Sequence, residues 1–149
     1  MYRPLLEKPR VRGQMKGNAV ANPLYDGLFG RHAGKTTPFL HLLDGSTITH
    51  QHFLSRAAQI ANVMLQLELK PGDRVAAQIE KSPEALALYA ACAQAGLVFL
   101  PLNTAYTVDE LAYFIDNSGA SLIVCEGRNQ AALAPLAGRL GAIIETLNA

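Results

Sequence analysis

Gly30-Arg31-His32-Ala33-Gly34-Lys35-Thr36 sets two glycines ahead of a lysine and a hydroxyl, the residue types that hold a phosphate. Such a loop works because glycines let backbone amides wrap the anion while the lysine reaches the outer phosphates. The motif needs four residues between its first glycine and the Gly-Lys pair, but only three separate Gly30 from Gly34, and the position five back is Phe29. The segment also follows a helical pattern and precedes an extended one, the reverse of strand-loop-helix. No ATP site is predicted there. His50 and His52 open a helix two residues apart, pointing in different directions, with no nearby Cys and no His four residues on to complete a metal shell. Surface or capping roles are expected of them. There is no Gly-x-Ser-x-Gly elbow for a nucleophile and no glycine-rich dinucleotide fingerprint after a strand.

The elements that must position any site are legible from spacing. Leu24, Tyr25, Leu28 and Phe29 recur at helical intervals, predicting a helix from Asn22 to Ala33 with Asn22 as cap and Pro23 just inside. Phe39 to Leu43 and Ser46 to Thr49 flank Asp44-Gly45, the signal for a two-residue hairpin, so a small antiparallel pair is predicted over 39–49. Phe53, Leu54, Ala57, Ala58, Ile60, Ala61, Met64, Leu65 and Leu67 keep a 3.6-residue beat until Lys70-Pro71-Gly72-Asp73. Buried-type strands then begin near Val75, Val98, Leu122 and Ala142, alternating with helices over 82–95, 107–117 and 129–140. That rhythm predicts an α/β fold with a doubly wound, mostly parallel sheet and helices on both faces. Ser82 with Pro83 and Glu84 should open one helix, and Thr107 with Asp109 and Glu110 should open the next as a capping box. Val98-Phe99-Leu100-Pro101-Leu102 reads as a strand buried on both faces, ending at Pro101. Glu80 and Lys81, and Asn103 and Thr104, fall at strand carboxyl ends, where open α/β sheets put ligands; either pair could contact a ligand or only turn the chain.

Composition narrows the function classes. A 149-residue chain that is 50% hydrophobic can bury one core. Thirteen Lys plus Arg against twelve Asp plus Glu, net +1, makes no basic field for nucleic acid. Cys92 and Cys125 lack the close spacing of zinc or redox motifs and read as reduced core thiols. No apolar run approaches the roughly 18 residues of a membrane span. Five cations (Arg3, Lys8, Arg10, Arg12, Lys16) against Glu7 put +4 in the first twenty residues. Without Ser or a helical stripe, and with Pro4 and Pro9, this reads as a basic, disordered tail over 1–20 and not a transit peptide. Met15 is an alternative start. The expected location is the cytoplasm, or an organelle matrix if the tail is an address.

Ala95-Gly96-Leu97-Val98-Phe99-Leu100-Pro101-Leu102-Asn103, followed by Tyr106-Thr107 and Glu110-Leu111, resembles the second core motif of the acyl-adenylate-forming, AMP-dependent synthetases. That group includes acyl-CoA synthetases and luciferases. Pro71-Gly72-Asp73-Arg74-Val75 and Ser82-Pro83-Glu84 resemble its lead-in, and Ile48-Thr49 its first core motif, with His50 where the family carries an aromatic. Glu80-Lys81-Ser82, Leu102 to Thr107 and Tyr113-Phe114-Ile115 are most similar to malonyl-CoA synthetases. The resemblance runs from Asn22 to the end. It implies a parent that joins a carboxylic acid to coenzyme A with ATP and magnesium, and a chain corresponding to the first part of the large amino-terminal domain, with 21–149 an incomplete α/β domain. The family's phosphate loop, magnesium-site glutamate, ribose-binding aspartate and late catalytic lysine lie beyond the matched part. Accordingly no catalytic, cofactor-binding or metal residue is assigned, no cofactor is expected on this chain alone, and it is expected to be inactive. The alternative is a non-catalytic α/β binding or regulatory module. An unfinished sheet edge at Ala142 to Thr146 should favour association.

Overall fold

The structure, a computed structural model, describes residues 22–147. The basic tail over 1–20 and the alternative start at Met15 lie outside them. In chain order the elements are α1 (Pro23–Leu28), β1 (Pro38–His41), β2 (Thr47–Thr49), α2 (His50–Gln66), β3 (Arg74–Gln78), α3 (Pro83–Ala95), β4 (Val98–Pro101), α4 (Val108–Ser118), β5 (Leu122–Glu126), α5 (Gln130–Leu140) and β6 (Ile143–Leu147).

The four later strands form a parallel sheet in the order β4-β3-β5-β6. Segments at Val75, Val98 and Leu122 are therefore parallel, with β3 between the other two. The chain steps outward from β3 to β4, returns across β3 to β5 and continues to β6. Side chains alternate across the strands with period two. Val75, Ala77, Leu122 and Val124 share a core with α2 and α3, including Ala57, Ile60, Met64, Leu88 and Ala91. Ala76, Ile123 and Cys125 face the other way, onto Leu111 and Ile115 of α4 and Leu133 and Leu136 of α5. Helices thus cover both faces, as the alternation of strand and helix predicts.

The caps form as their residue types dictate. Ser82 Oγ accepts the Ala85 amide at 3.1 Å with Pro83 at the first helical position. Thr107 Oγ1 accepts the Glu110 amide at 3.3 Å, and Glu110 Oε2 accepts the Thr107 amide at 2.8 Å. Arg74 ties the far end of α4 to the sheet: its Nε donates to the Ser118 carbonyl at 2.7 Å and Nη2 to that of Gly119 at 2.8 Å. A guanidinium on the last carbonyls of a helix complements its negative end.

Three local expectations are corrected. The helix predicted from Asn22 to Ala33 stops at Leu28 and resumes as a 3₁₀ turn over Gly30–His32. The break at Phe29 seats its ring among Tyr25, Phe53 and Tyr89, at centroid distances of 6.0, 5.9 and 6.1 Å. Asn22 does cap, accepting the Tyr25 amide at 3.1 Å, and it also donates to the Ala93 carbonyl of α3 at 2.6 Å. The hairpin turns through three residues, not two: Leu42 N donates to Ser46 O at 2.9 Å and Gly45 N to Leu42 O at 3.0 Å. Asp44 accepts from both the amide and hydroxyl of Ser46, and Gly45 closes the loop at φ 83°. Last, β4 is an edge strand of this sheet and not buried on both faces, with Val98 49% exposed. Its ladder also runs through Pro101 to Leu102, whose amide donates to Ala77 O at 2.9 Å. Because alternate amides point toward β3, the one that Pro101 lacks would face the open edge.

Candidate functional site

The winding of the sheet selects the place to look. Chain leaves β3 and β5 in opposite directions, which opens a crevice at their carboxyl ends, the position where doubly wound sheets bind ligands. Gln78 ends β3 beneath it, 4% exposed. Its side-chain amide donates toward the carbonyls of Tyr106 at 3.1 Å, Asn103 at 3.2 Å and Thr104 at 3.4 Å. An amide nitrogen has two hydrogens, so three carbonyls share them, and the loop after β4 is drawn down onto β3.

Above Gln78 the crevice is bridged by polar groups from both strands. The Glu80 amide donates to Glu126 Oε1 at 3.0 Å, and Arg128 Nη2 lies 3.5 Å from Glu80 Oε1. The Arg128 and Glu80 side chains are 70% and 59% exposed, so the pair contributes about 0–1 kcal/mol and yields readily to another partner. Asn103 serves the turn: its Oδ1 accepts the Ala105 amide at 3.0 Å, and its carbonyl accepts the Tyr106 amide at 3.1 Å. Tyr106 stacks on Phe114 of α4 at 5.0 Å, which fixes the other end of the loop. Thr104 and Lys81 are exposed at the rim. This edge can bind and orient a polar ligand by hydrogen bonds and two exposed cations, Lys81 and Arg128.

The remaining residues weighed from sequence lie elsewhere. In the Gly30 to Thr36 segment the amides of His32, Ala33 and Lys35 donate to Phe29, Gly30 and His32 carbonyls, so they do not converge on an anion. Lys35 Nζ lies 3.1 Å from His32 Nδ1. The His32 ring stacks on His50 at 4.8 Å, and partial burial, followed by the charges of Lys35, His50 and Arg31, holds its pKa below the usual imidazole range. His50 Nδ1 faces the Thr37 carbonyl at 3.2 Å. The cap of α2 is Thr49, whose Oγ1 accepts the His52 amide at 3.1 Å. Among the described residues no three His, Cys, Asp or Glu side chains group around a possible metal position. Burial pushes the Cys92 thiol up to about 12; burial and the charge of Glu126 push Cys125 up to about 11. Both are inert as nucleophiles at neutral pH. No helix of the described residues is long and apolar enough to cross a membrane.

Sequence reasoning passed over Gln78, Glu126 and Arg128. One signal was available for Gln78, a polar residue closing the apolar run Val75-Ala76-Ala77. Glu126 and Arg128 gain meaning only when β5 lies beside β3.

The family model described as AMP-binding enzyme matches residues 29–147. The chain belongs to that family. This AMP-binding enzyme chain is 38% identical to a feruloyl-CoA synthase of an Amycolatopsis species over 97 residues, 64% of the chain and 20% of that protein. It is 30% identical to long-chain fatty acid transport protein 1 of Rattus norvegicus over 135 residues, 89% of the chain and 21% of the relative. Among solved structures, apo MatB from Rhodopseudomonas palustris superposes with a TM-score of 0.81 at 41% identity, covering 86% of the chain and 26% of MatB. The fold is that of the amino-terminal domain of adenylate-forming enzymes, and the chain spans about a quarter or less of the length of these relatives.

Proposed function

We propose that residues 21–149 form the first part of the amino-terminal domain of an acyl-CoA synthetase that joins malonate to coenzyme A, with ATP and magnesium, by way of an acyl adenylate. The observation that carries this reading is the likeness to MatB, 41% identical with a TM-score of 0.81. It agrees with the resemblance of Glu80-Lys81-Ser82 and Leu102 to Thr107 to malonyl-CoA synthetases. ATP fits the longer protein: one of the similar structures is an ATP-bound MatB, at 41% identity and a TM-score of 0.80.

The Gly30 to Thr36 segment does not fit a phosphate grip, since its amides at His32, Ala33 and Lys35 are turned to nearby carbonyls. No step of adenylation is assigned to the described residues. Their part is to build the crevice wall: Gln78 sets the height of the loop after β4, while Glu80, Glu126 and Arg128 line the mouth. A second carboxylate on the acid calls for a cation, with an arginine from outside this chain best matched to it. We place the longer protein in the cytoplasm; a fluorescent fusion of residues 1–21 that enters an organelle would replace that location.

Two measurements test the reading. The 149-residue chain, purified from a host lacking the intact enzyme, should show no carboxylate-dependent exchange of pyrophosphate into ATP. For the full-length parent, kcat/KM should be higher for malonate than for acetate or a medium-chain fatty acid. A preference for either monocarboxylate would leave an acyl-CoA synthetase and remove malonate.

A further inference from the structure

We propose that the groove between the amino-terminal halves of α2 and α3 binds a small zwitterion, a carboxylate and an ammonium group joined by a short apolar linker. The groove holds about 240 Å³. At roughly 30 Å³ for each water-sized unit, that is room for about eight non-hydrogen atoms. One wall is a single face of α2, where His52, Arg56 and Gln59 recur at helical spacing; the other carries Glu84 and Ala87 of α3. Ile48 and Pro83, both partly exposed, supply apolar surface.

The charges on these walls do not answer each other. Arg56 and Glu84 both line the groove and both are half-buried, yet they form no ion pair within 4.0 Å. Among the described residues, the hydrogen bond shown for Arg56 goes from Nη1 to the neutral Gln59 Oε1 at 3.3 Å. A planar guanidinium is built to hold a carboxylate through two parallel hydrogen bonds, and that capacity is open here. Glu84 sits in the first turn of α3, where negative charge is favoured, and presents an acceptor to an ammonium donor. A ligand with both charges would satisfy both walls at once, and its linker would lie against the apolar surface of Ile48 and Pro83. Molecules with one charge would leave one wall unanswered. This site is separate from the crevice above Gln78 and does not rest on the acyl-CoA synthetase reading.

Titration of the ¹⁵N-labelled chain with 4-aminobutanoate, beside butanoate and butylamine at equal ionic strength, tests it by NMR. The zwitterion should give saturable shifts confined to Ile48, His52, Arg56, Gln59, Glu84 and Ala87, binding at least about tenfold tighter than either single-charge analogue. Arg56→Met and Glu84→Gln should each weaken it by about tenfold or more, and Arg56→Lys by less, because an ammonium cannot form the paired bonds. Melting curves of the variants should match the parent; if Arg56→Met fails to fold, Glu84→Gln alone decides. No saturable shift, equal binding of butanoate or butylamine, or unchanged affinity in the folded variants would overturn the proposal.

Discussion

Gln78 is the residue on which the crevice depends most, because one buried amide serves three loop carbonyls. Replacing it with Leu keeps the volume and removes the donors. The expected cost is about 0.5–1.5 kcal/mol, the net worth of an ordinary hydrogen bond, since the partly buried loop carbonyls lose this donor. Urea denaturation measures the loss, and amide exchange over Asn103 to Thr107 should quicken while that of β5 stays slow relative to it. Glu145 is the opposite case, a partly buried carboxylate on β6 with no ion pair among the described residues. Burial raises its pKa above the ordinary 4.5. The native state therefore holds this proton more tightly than the unfolded chain, and stability falls as pH rises through the unfolded value toward the folded one. Glu145→Gln should be close to neutral below the carboxylate range and increasingly stabilising above it. Thermal melts of both proteins across that range check the sign; a difference that shrinks as pH rises would refute it.

At the scale of elements, α4 is held at both ends by devices that can be removed singly. Thr107→Ala deletes the amino-terminal half of the capping box and should cost about 1 kcal/mol. At the other end, Arg74→Met loses the bonds to the Ser118 and Gly119 carbonyls and should cost about 1–3 kcal/mol. Gly119→Ala should damage the same corner from the helix side. Its φ of +58° disfavours a side chain, and an added Cβ would lie 2.8 Å from Arg74 Nη2. Arg74→Met and Gly119→Ala touch one contact, so their double mutant should cost less than the sum of the singles, a coupling that equilibrium unfolding of all three variants measures. Additive costs would mean that the guanidinium does not act through this cap.

Seen whole, the described sheet has two edges with different protection. The β4 edge is short and carries Pro101, which blunts pairing with another strand. The β6 edge is five residues long, with Ile143 and Ile144 half-buried. Association through β6 is expected at raised concentration, read as growth of the scattering mass, and Ile144→Lys should reduce it. A clean monomer at high concentration with a sharp cooperative melt would favour a self-sufficient module over part of a larger domain.

Periodicity alone determined most of the architecture. The alternation of apolar strands with capped helices after Lys70 specifies parallel crossovers, because each short connection must bury one helix face on the sheet. The motif around Ala95 to Asn103 also pointed to the family, since it encodes a turn, a strand and its exit in contiguous residues. Tertiary structure alone decided which strands lie inside. The runs at Val75 and Val98 are both apolar, and only the return of the chain across β3 makes one central and the other an edge. The same pairing decided the candidate site. Gln78 and Asn103 are 25 residues apart, and Glu80 and Glu126 are 46 apart, and no local pattern encodes such contacts. They exist because parallel pairing brings the carboxyl ends of β3, β4 and β5 to one edge, where polar groups from three separate loops must satisfy one another.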